Sequence, residues 1–281
     1  MKTYILLALA VVAFIISPST AQDLPQPSPM ASFTQTVGVT EISMEYSRPG
    51  VKDREIWGAL VPYGELWRTG ANASTKIEFN TDVQISGKEV PAGSYALFVI
   101  PGESEMTFIL NTHTTGWGTD GYKEENDIVR VTGKVMESAF TERMLFVAEN
   151  MTDNMVDIAL YWADVKVSFP ISINTDELAD KVVKEMIKDA DGSFRKYNNA
   201  ARWYLTNDGD KAQALEWAQK SVDQDKRFWN LTVLSEAQAA NGDYKTAIKT
   251  AEEAIEMAKK ADYQPYIDRN EKNIAEWKGM K

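Results

Sequence analysis

The period of the hydrophobic pattern changes once along this chain, and that change limits the folds open to it. Up to Pro170 apolar residues recur at every second position, and after it at every third or fourth. A strand sends alternate side chains to one face, whereas a helix aligns i, i+3 and i+4, so the chain reads β first and α afterwards. Lys76-Ile77-Glu78-Phe79 and Asp82-Val83-Gln84-Ile85 alternate strictly, and Tyr95 to Ile100 and Met106 to Leu110 are denser, as central strands would be. Further strand runs are 34–39, 41–46, 130–135, 144–148, 156–162 and 165–169. Ser86-Gly87, Pro91-Ala92-Gly93, Pro101-Gly102 and Asp153-Asn154 supply turns between them. Short strands at intervals of about 8–12 residues suggest a sandwich or a barrel, and an antiparallel β-sandwich over 31–170 is the expectation.

In the helical half, Asn174 or Thr175 can cap a helix carrying Ala179, Val182, Val183, Met186 and Ile187. A repeat follows. Gly209-Asp210-Lys211-Ala212-Gln213-Ala214-Leu215 returns 33 residues later as Gly242-Asp243-Tyr244-Lys245-Thr246-Ala247-Ile248, with Ala218 matching Ala251 and Val222 matching Ile255. Small residues at fixed places in such a period signal paired helices, with Gly-Asp providing the turn and the N-cap. On these residues, and on Leu231, Leu234 and Ala254, the segment 192–260 resembles tetratricopeptide repeats. Its first copy departs from the pattern at Asn198 and Ala201, and a capping helix with Tyr266, Ile267, Ile274 and Trp277 is expected near 263–279. The expected fold class is therefore α+β multidomain, a β-sandwich followed by an α-helical tetratricopeptide-like repeat region over 174–281. The resemblance implies a protein partner. Arrays of this kind want about three stacked units, so this one is expected to lean on the β-domain.

The N-terminus predicts export. Lys2 precedes an apolar run from Tyr4 to Ile16, and Ser19-Thr20-Ala21 places small residues for cleavage before Gln22. The run is too short to span about 30 Å of hydrocarbon comfortably, so 1–21 reads as a signal peptide, with no stable membrane insertion once it is removed. Pro25, Pro27 and Pro29 then make 22–30 a Pro-rich tether. With no cysteine, an exported protein must be held by its cores alone. A periplasmic or secreted location is expected. The net charge of −11 lies almost wholly in the β-half and argues against nucleic acid, which needs a basic face to displace counterions. The acid is read first as solubility and second as a surface for a cationic partner.

The densest chemistry lies between Tyr46 and Asn72, a strand-poor stretch rich in Trp, Tyr, Gly and Arg. Long structured loops on a β scaffold often carry function. Arg48, Trp57, Tyr63, Trp67, Arg68 and Asn72, joined by Trp117, are the candidate ligand-binding residues: aromatic faces beside a guanidinium fork suit a sugar or a carboxylate. The competing reading is a plug, with the aromatics closing one end of the sandwich and Arg68 paired to Glu55 or Glu65. Ser47-Arg48-Pro49, Arg54-Glu55-Ile56-Trp57-Gly58, Leu60-Val61-Pro62-Tyr63-Gly64, 66–75 and 91–98 resemble an exported family known as domain of unknown function 2911 over about 30–170, and Trp117-Gly118 also fits. The resemblance implies a secreted bacterial β-domain, often with helical repeats behind it. It implies no activity.

Several chemistries find no support. His113 is the sole histidine, with no Gly-x-Ser-x-Gly elbow elsewhere, and one histidine without cysteine cannot build the usual zinc sites. No phosphate-cradling loop occurs. Asp120, Glu124, Glu125 and Asp127 have the oxygen density for calcium but not the EF-hand spacing, and Lys123 interrupts them, so no metal and no cofactor is assigned. The leading expectation is a non-enzymatic binding or scaffold protein, with the helical repeats for a protein partner and the Trp/Arg loop for a glycan or small ligand. The alternative is a carbohydrate-directed hydrolase using carboxylates beside the Trp-rich loop, Glu55 and Glu65 being the candidates. A third reading is a purely structural role.

Overall fold

A computed structural model describes residues 25–189 and 193–280. The expected signal peptide lies outside the described residues. Among the described residues ten strands form two antiparallel sheets. β1 (Met30–Val37), β2 (Thr40–Ser47), β3 (Lys76–Phe79), β6 (Gly93–Ile100), β7 (Glu105–Asn111) and β8 (Asp127–Lys134) make the larger, in the order β1-β2-β3-β6-β7-β8. β5 (Lys88–Val90), β4 (Val83–Ile85), β10 (Met155–Ser172) and β9 (Met136–Glu149) make the smaller, in the order β5-β4-β10-β9. Ile42, Ile77, Leu97 and Phe108 of one sheet share a single buried cluster with Ile85, Ile158, Leu160 and Phe169 of the other, which makes this half a sandwich. β4 and β5 are joined by Ser86-Gly87, both at positive φ, as a two-residue hairpin turn requires. β8 and β10 approach so closely that a Cβ on Gly133 would lie 2.4 Å from the Ser168 carbonyl oxygen.

The two strands expected at 156–162 and 165–169 are one strand, β10, broken in register. Val156, Ile158, Leu160 and Trp162 face the core; beyond the break Val167, Phe169 and Ile171 do. The inward set passes from even to odd positions because pairing with β9 slips on either side of Ala163, whose φ is +54°. A bulge is the only way one strand can reverse its faces without ending, since side chains alternate strictly along it.

Six helices follow among the described residues: α1 (Thr175–Lys188), α2 (Phe194–Thr206), α3 (Lys211–Gln224), α4 (Phe228–Ala240), α5 (Tyr244–Lys260) and α6 (Gln264–Trp277). The caps fall where the sequence places them. Asn174 accepts from the Glu177 amide, Asp210 from Ala212 and Gln213, and Asp243 from Thr246. Each of α2 to α5 packs on the next helix in the chain, and α4 also touches α2 and α6, the pattern of stacked helical pairs. Ala214, Ala218, Ala247, Ala251 and Ala254 are fully buried at these crossings, where a larger side chain would hold the helices apart. Asn230 ties three elements: its amide donates to Ser221 Oγ at 3.0 Å and to the Asp225 carbonyl at 2.8 Å, and Ser221 Oγ in turn donates to the Phe194 carbonyl at 2.7 Å.

It is α1, ahead of the repeat, that leans on the sandwich. Leu178 packs against the β core, Thr175 Oγ1 donates to the Asp153 carbonyl at 2.6 Å, and the Thr175 side chain fills the space a Cβ on Gly38 would take. No helix among the described residues is long and apolar enough to cross a membrane.

Candidate functional site

The loop between β2 and β3 does two separate things, and a single backbone contact decides which residue does which. Trp67 exchanges both backbone hydrogen bonds with Val99, at 2.8 and 2.9 Å, and so stands as a one-residue strand in line with β3 beside β6. Alternation then sends Trp67 inward and its neighbours outward. Inside, Trp67 stacks on Trp162, with centroids 5.8 Å apart and planes at 15°, while Trp57 meets both rings edge-on at 5.7 and 5.9 Å. Three indoles thus fill one end of the sandwich. Outside, Leu66 joins Ala96, Phe98 and Ile109 in a small cluster on the outer face of the larger sheet.

Arg68 lies with that outer group. Its Nε is buried without a hydrogen-bond partner, and burial lowers its pKa from the ordinary guanidinium value. Neither Glu55 nor Glu65 pairs with it. Trp117 bridges to Ala73 on the same side and is 66% exposed, and the Arg68 guanidinium approaches the adjacent Gly118. Arg48 and Asn72 have backbone duties. Arg48 Nε donates to the Met144 carbonyl at 2.8 Å, and Asn72, at φ +61°, donates to Ser47 Oγ and to the Ser28 carbonyl, each at 3.2 Å. With Arg143 Nη1 donating to the Pro27 carbonyl and the Arg48 amide to that of Pro29, these bonds hold the described part of the Pro-rich tether against the sandwich.

The candidate residues therefore occupy three places rather than one. Trp57 and Tyr63 line an open cleft of about 450 Å³ with Arg54, Glu55, Phe140 and Asp164. Trp67 lies behind it in the indole stack, and Arg68 and Trp117 lie over the outer face of the larger sheet. Tyr63 is held out by Gly58, at φ +83°, whose missing Cβ leaves room for the tyrosine ring. Phe140 and Asp164 belong to β9 and β10, about 80 and 100 residues along the chain from the loop, so sequence reading had no cue to join them to it. The one cue for Phe140 is a large aromatic within Glu137-Ser138-Ala139-Phe140-Thr141-Glu142, an otherwise polar stretch.

The acidic run after Trp117 is already occupied. Asp127 accepts from Asn111, Tyr122 and Arg130 at 2.7 to 2.9 Å, Glu124 pairs with Arg130 and Glu125 with Lys123. No group of three or more metal-ligating side chains occurs among the described residues. His113 packs over Gly116 and Gly121.

In the helical half a second concavity, of about 430 Å³, runs across the alternate helices α2, α4 and α6. Ala239 and Ala240 form part of its lining, Leu205 and Trp277 supply apolar surface, and Arg269 is fixed by Glu236 through two bonds of 2.7 and 2.8 Å. Arg202, exposed on α2, lines it with no ion-pair partner among the described residues.

No curated protein and no solved structure matches the chain. A family model described as protein of unknown function (DUF2911) matches residues 28–171, the whole sandwich with its Trp-rich loop. The chain thus belongs to the DUF2911 family, in a form whose described residues carry six helices after the family domain.

Proposed function

We propose that this is an exported, non-enzymatic binding protein of a bacterial envelope, released from its signal peptide near Ala21, whose helical half holds an extended segment of another protein. The observation that carries this reading is the groove across α2, α4 and α6. A concavity made by alternate helices of a stack presents side chains from three successive layers to one linear ligand. Small alanines let a backbone approach, and Leu205 and Trp277 offer apolar purchase. Arg202 lacks a carboxylate, whereas Arg269 has one in Glu236, so the segment that fits brings an acidic residue to the α2 side. A tetratricopeptide-like stack is suited to such a role, and that likeness is a matter of fold-level analogy.

The test is site-specific photocrosslinking in the producing cell. A photoreactive residue at Thr206, inside the groove, should give a discrete adduct that Arg202→Glu abolishes. The same residue at Lys249, on α5 and outside the groove lining, should give none. Equal labelling from both positions, or no adduct from Thr206, would remove the groove as the binding face.

A further inference from the structure

We infer that the cleft beside the Ala163 bulge is a binding site for an organic ammonium cation. This rests on the sandwich alone and is independent of the helical groove. Three aromatic rings from two distant parts of the chain line the cleft: Trp57, buried edge-on in the indole stack, and Tyr63 and Phe140, exposed at 40% and 66%. Large aromatics that far out of the core do little for stability, so their convergence on one concavity needs another reason.

The polar groups then select the ligand. Glu55 and Asp164 line the cleft, and neither carboxylate has a hydrogen bond or ion pair among the described residues. Asp164 is placed there by the bulge, since it follows Ala163 at the point where β10 reverses its faces. Arg54 is the one cation of the lining among the described residues, and it keeps its charge, but its fork is partly turned to the backbone: Nε donates to the Val51 carbonyl at 3.0 Å and Nη2 to the Gly50 carbonyl at 2.6 Å. An anionic ligand would therefore meet two carboxylates against one guanidinium, a lining of net negative charge. A neutral sugar could stack on the same rings, but it brings no charge to offset the two carboxylates, and no Asn, Gln, Ser or Thr side chain is among the described residues that line the cleft. Two unpaired carboxylates among aromatic faces are the complement of an alkylammonium group, which gains from the ring quadrupoles and from the carboxylates together. The acidic surface of the sandwich would raise the local concentration of such cations as well.

Titrations of the full-length chain at fixed ionic strength, followed by tryptophan fluorescence, test this. The probes are choline, pentylammonium, Nα-acetyl-lysine amide, the neutral choline isostere 3,3-dimethylbutan-1-ol, and maltopentaose. Saturable binding of a cation is expected, with no binding of the neutral isostere. The double variant E55Q/D164N should weaken binding by roughly tenfold or more. Phe140→Ala should weaken it several-fold, and because Phe140 is exposed its melting temperature should match wild type. Preference for choline would identify a quaternary ammonium, and preference for the lysine amide a peptide side chain. The inference is overturned if no cation binds, if the isostere binds as well as choline, if neither variant weakens binding, or if maltopentaose binds in place of the cations.

Discussion

Replacing Trp67 by alanine asks whether the indole stack is what closes the end of the sandwich. A tryptophan removes roughly 150–250 Å² from water when buried, worth about 4–6 kcal/mol at ~25 cal/mol per Å². That figure is an upper bound, because the unfolded chain already hides part of the surface and Trp67 is only half-buried. Against the reduction stand two ring contacts, the stack on Trp162 and the edge of Trp57, each worth about 0.5–1.5 kcal/mol. The exchange with Val99 uses backbone atoms and survives the substitution. The expected loss is about 3 kcal/mol, within the usual range for deleting a large aromatic. For a unit near 150 residues this corresponds to about 6–12 °C in melting temperature. Far-UV circular dichroism is the right readout, since the change removes a fluorophore. Trp117→Ala is the internal control: its ring is 66% exposed, and the expected change is within about 0.5 kcal/mol. If Trp67→Ala melts within about 2 °C of wild type, the stack does not hold the sandwich end and the reasoning above is refuted.

Other outcomes follow from single contacts. Tyr204 donates to Asp180 at 2.5 Å, and burial first and that bond second push its pKa up to about 12 from 10.0. The unfolded chain ionises this phenol near pH 10 while the folded chain keeps its proton, so stability falls as pH rises from 10 to 12; in Tyr204→Phe the urea midpoint should lose that part of its alkaline decline. Gly133→Ala would place a methyl 2.4 Å from the Ser168 carbonyl and force β8 from β10, a loss of at least about 2 kcal/mol; an unchanged melting temperature would mean that the strands are not held so closely. Asp243→Ala removes the cap on α5 and should lower helical stability by about 1 kcal/mol, read by circular dichroism at 222 nm, whereas Asp243→Asn should retain most of it.

Much of the architecture is local information, and local information is legible. The change of period at Pro170 follows from the geometry of one strand or one helix, and the structure places Ser172 at the end of β10 and Thr175 at the start of α1. Asn174, Asp210 and Asp243 cap helices because an exposed amide needs an oxygen within a few residues of it, a requirement written in the sequence itself. The 33-residue repeat anticipates helix pairs because its small residues mark the crossings. β5, three residues long, is too short to carry a period and gains its place from pairing with β4 and from Val90 in the core.

What faces what was settled by the tertiary structure. The loop from Tyr46 to Asn72 reads as one patch of aromatic and basic residues, yet pairing of Trp67 with Val99 sends that tryptophan to the core while Leu66 packs on the opposite face of the sheet. The β10 bulge turns Asp164 towards a cleft whose other carboxylate, Glu55, is more than 100 residues earlier. Periodicity fixes which side chains of an element share a face, since that depends on backbone geometry alone. Which faces of distant elements meet depends on register, bulges and the packing of both sheets together, and a linear pattern of residue types does not encode those separately.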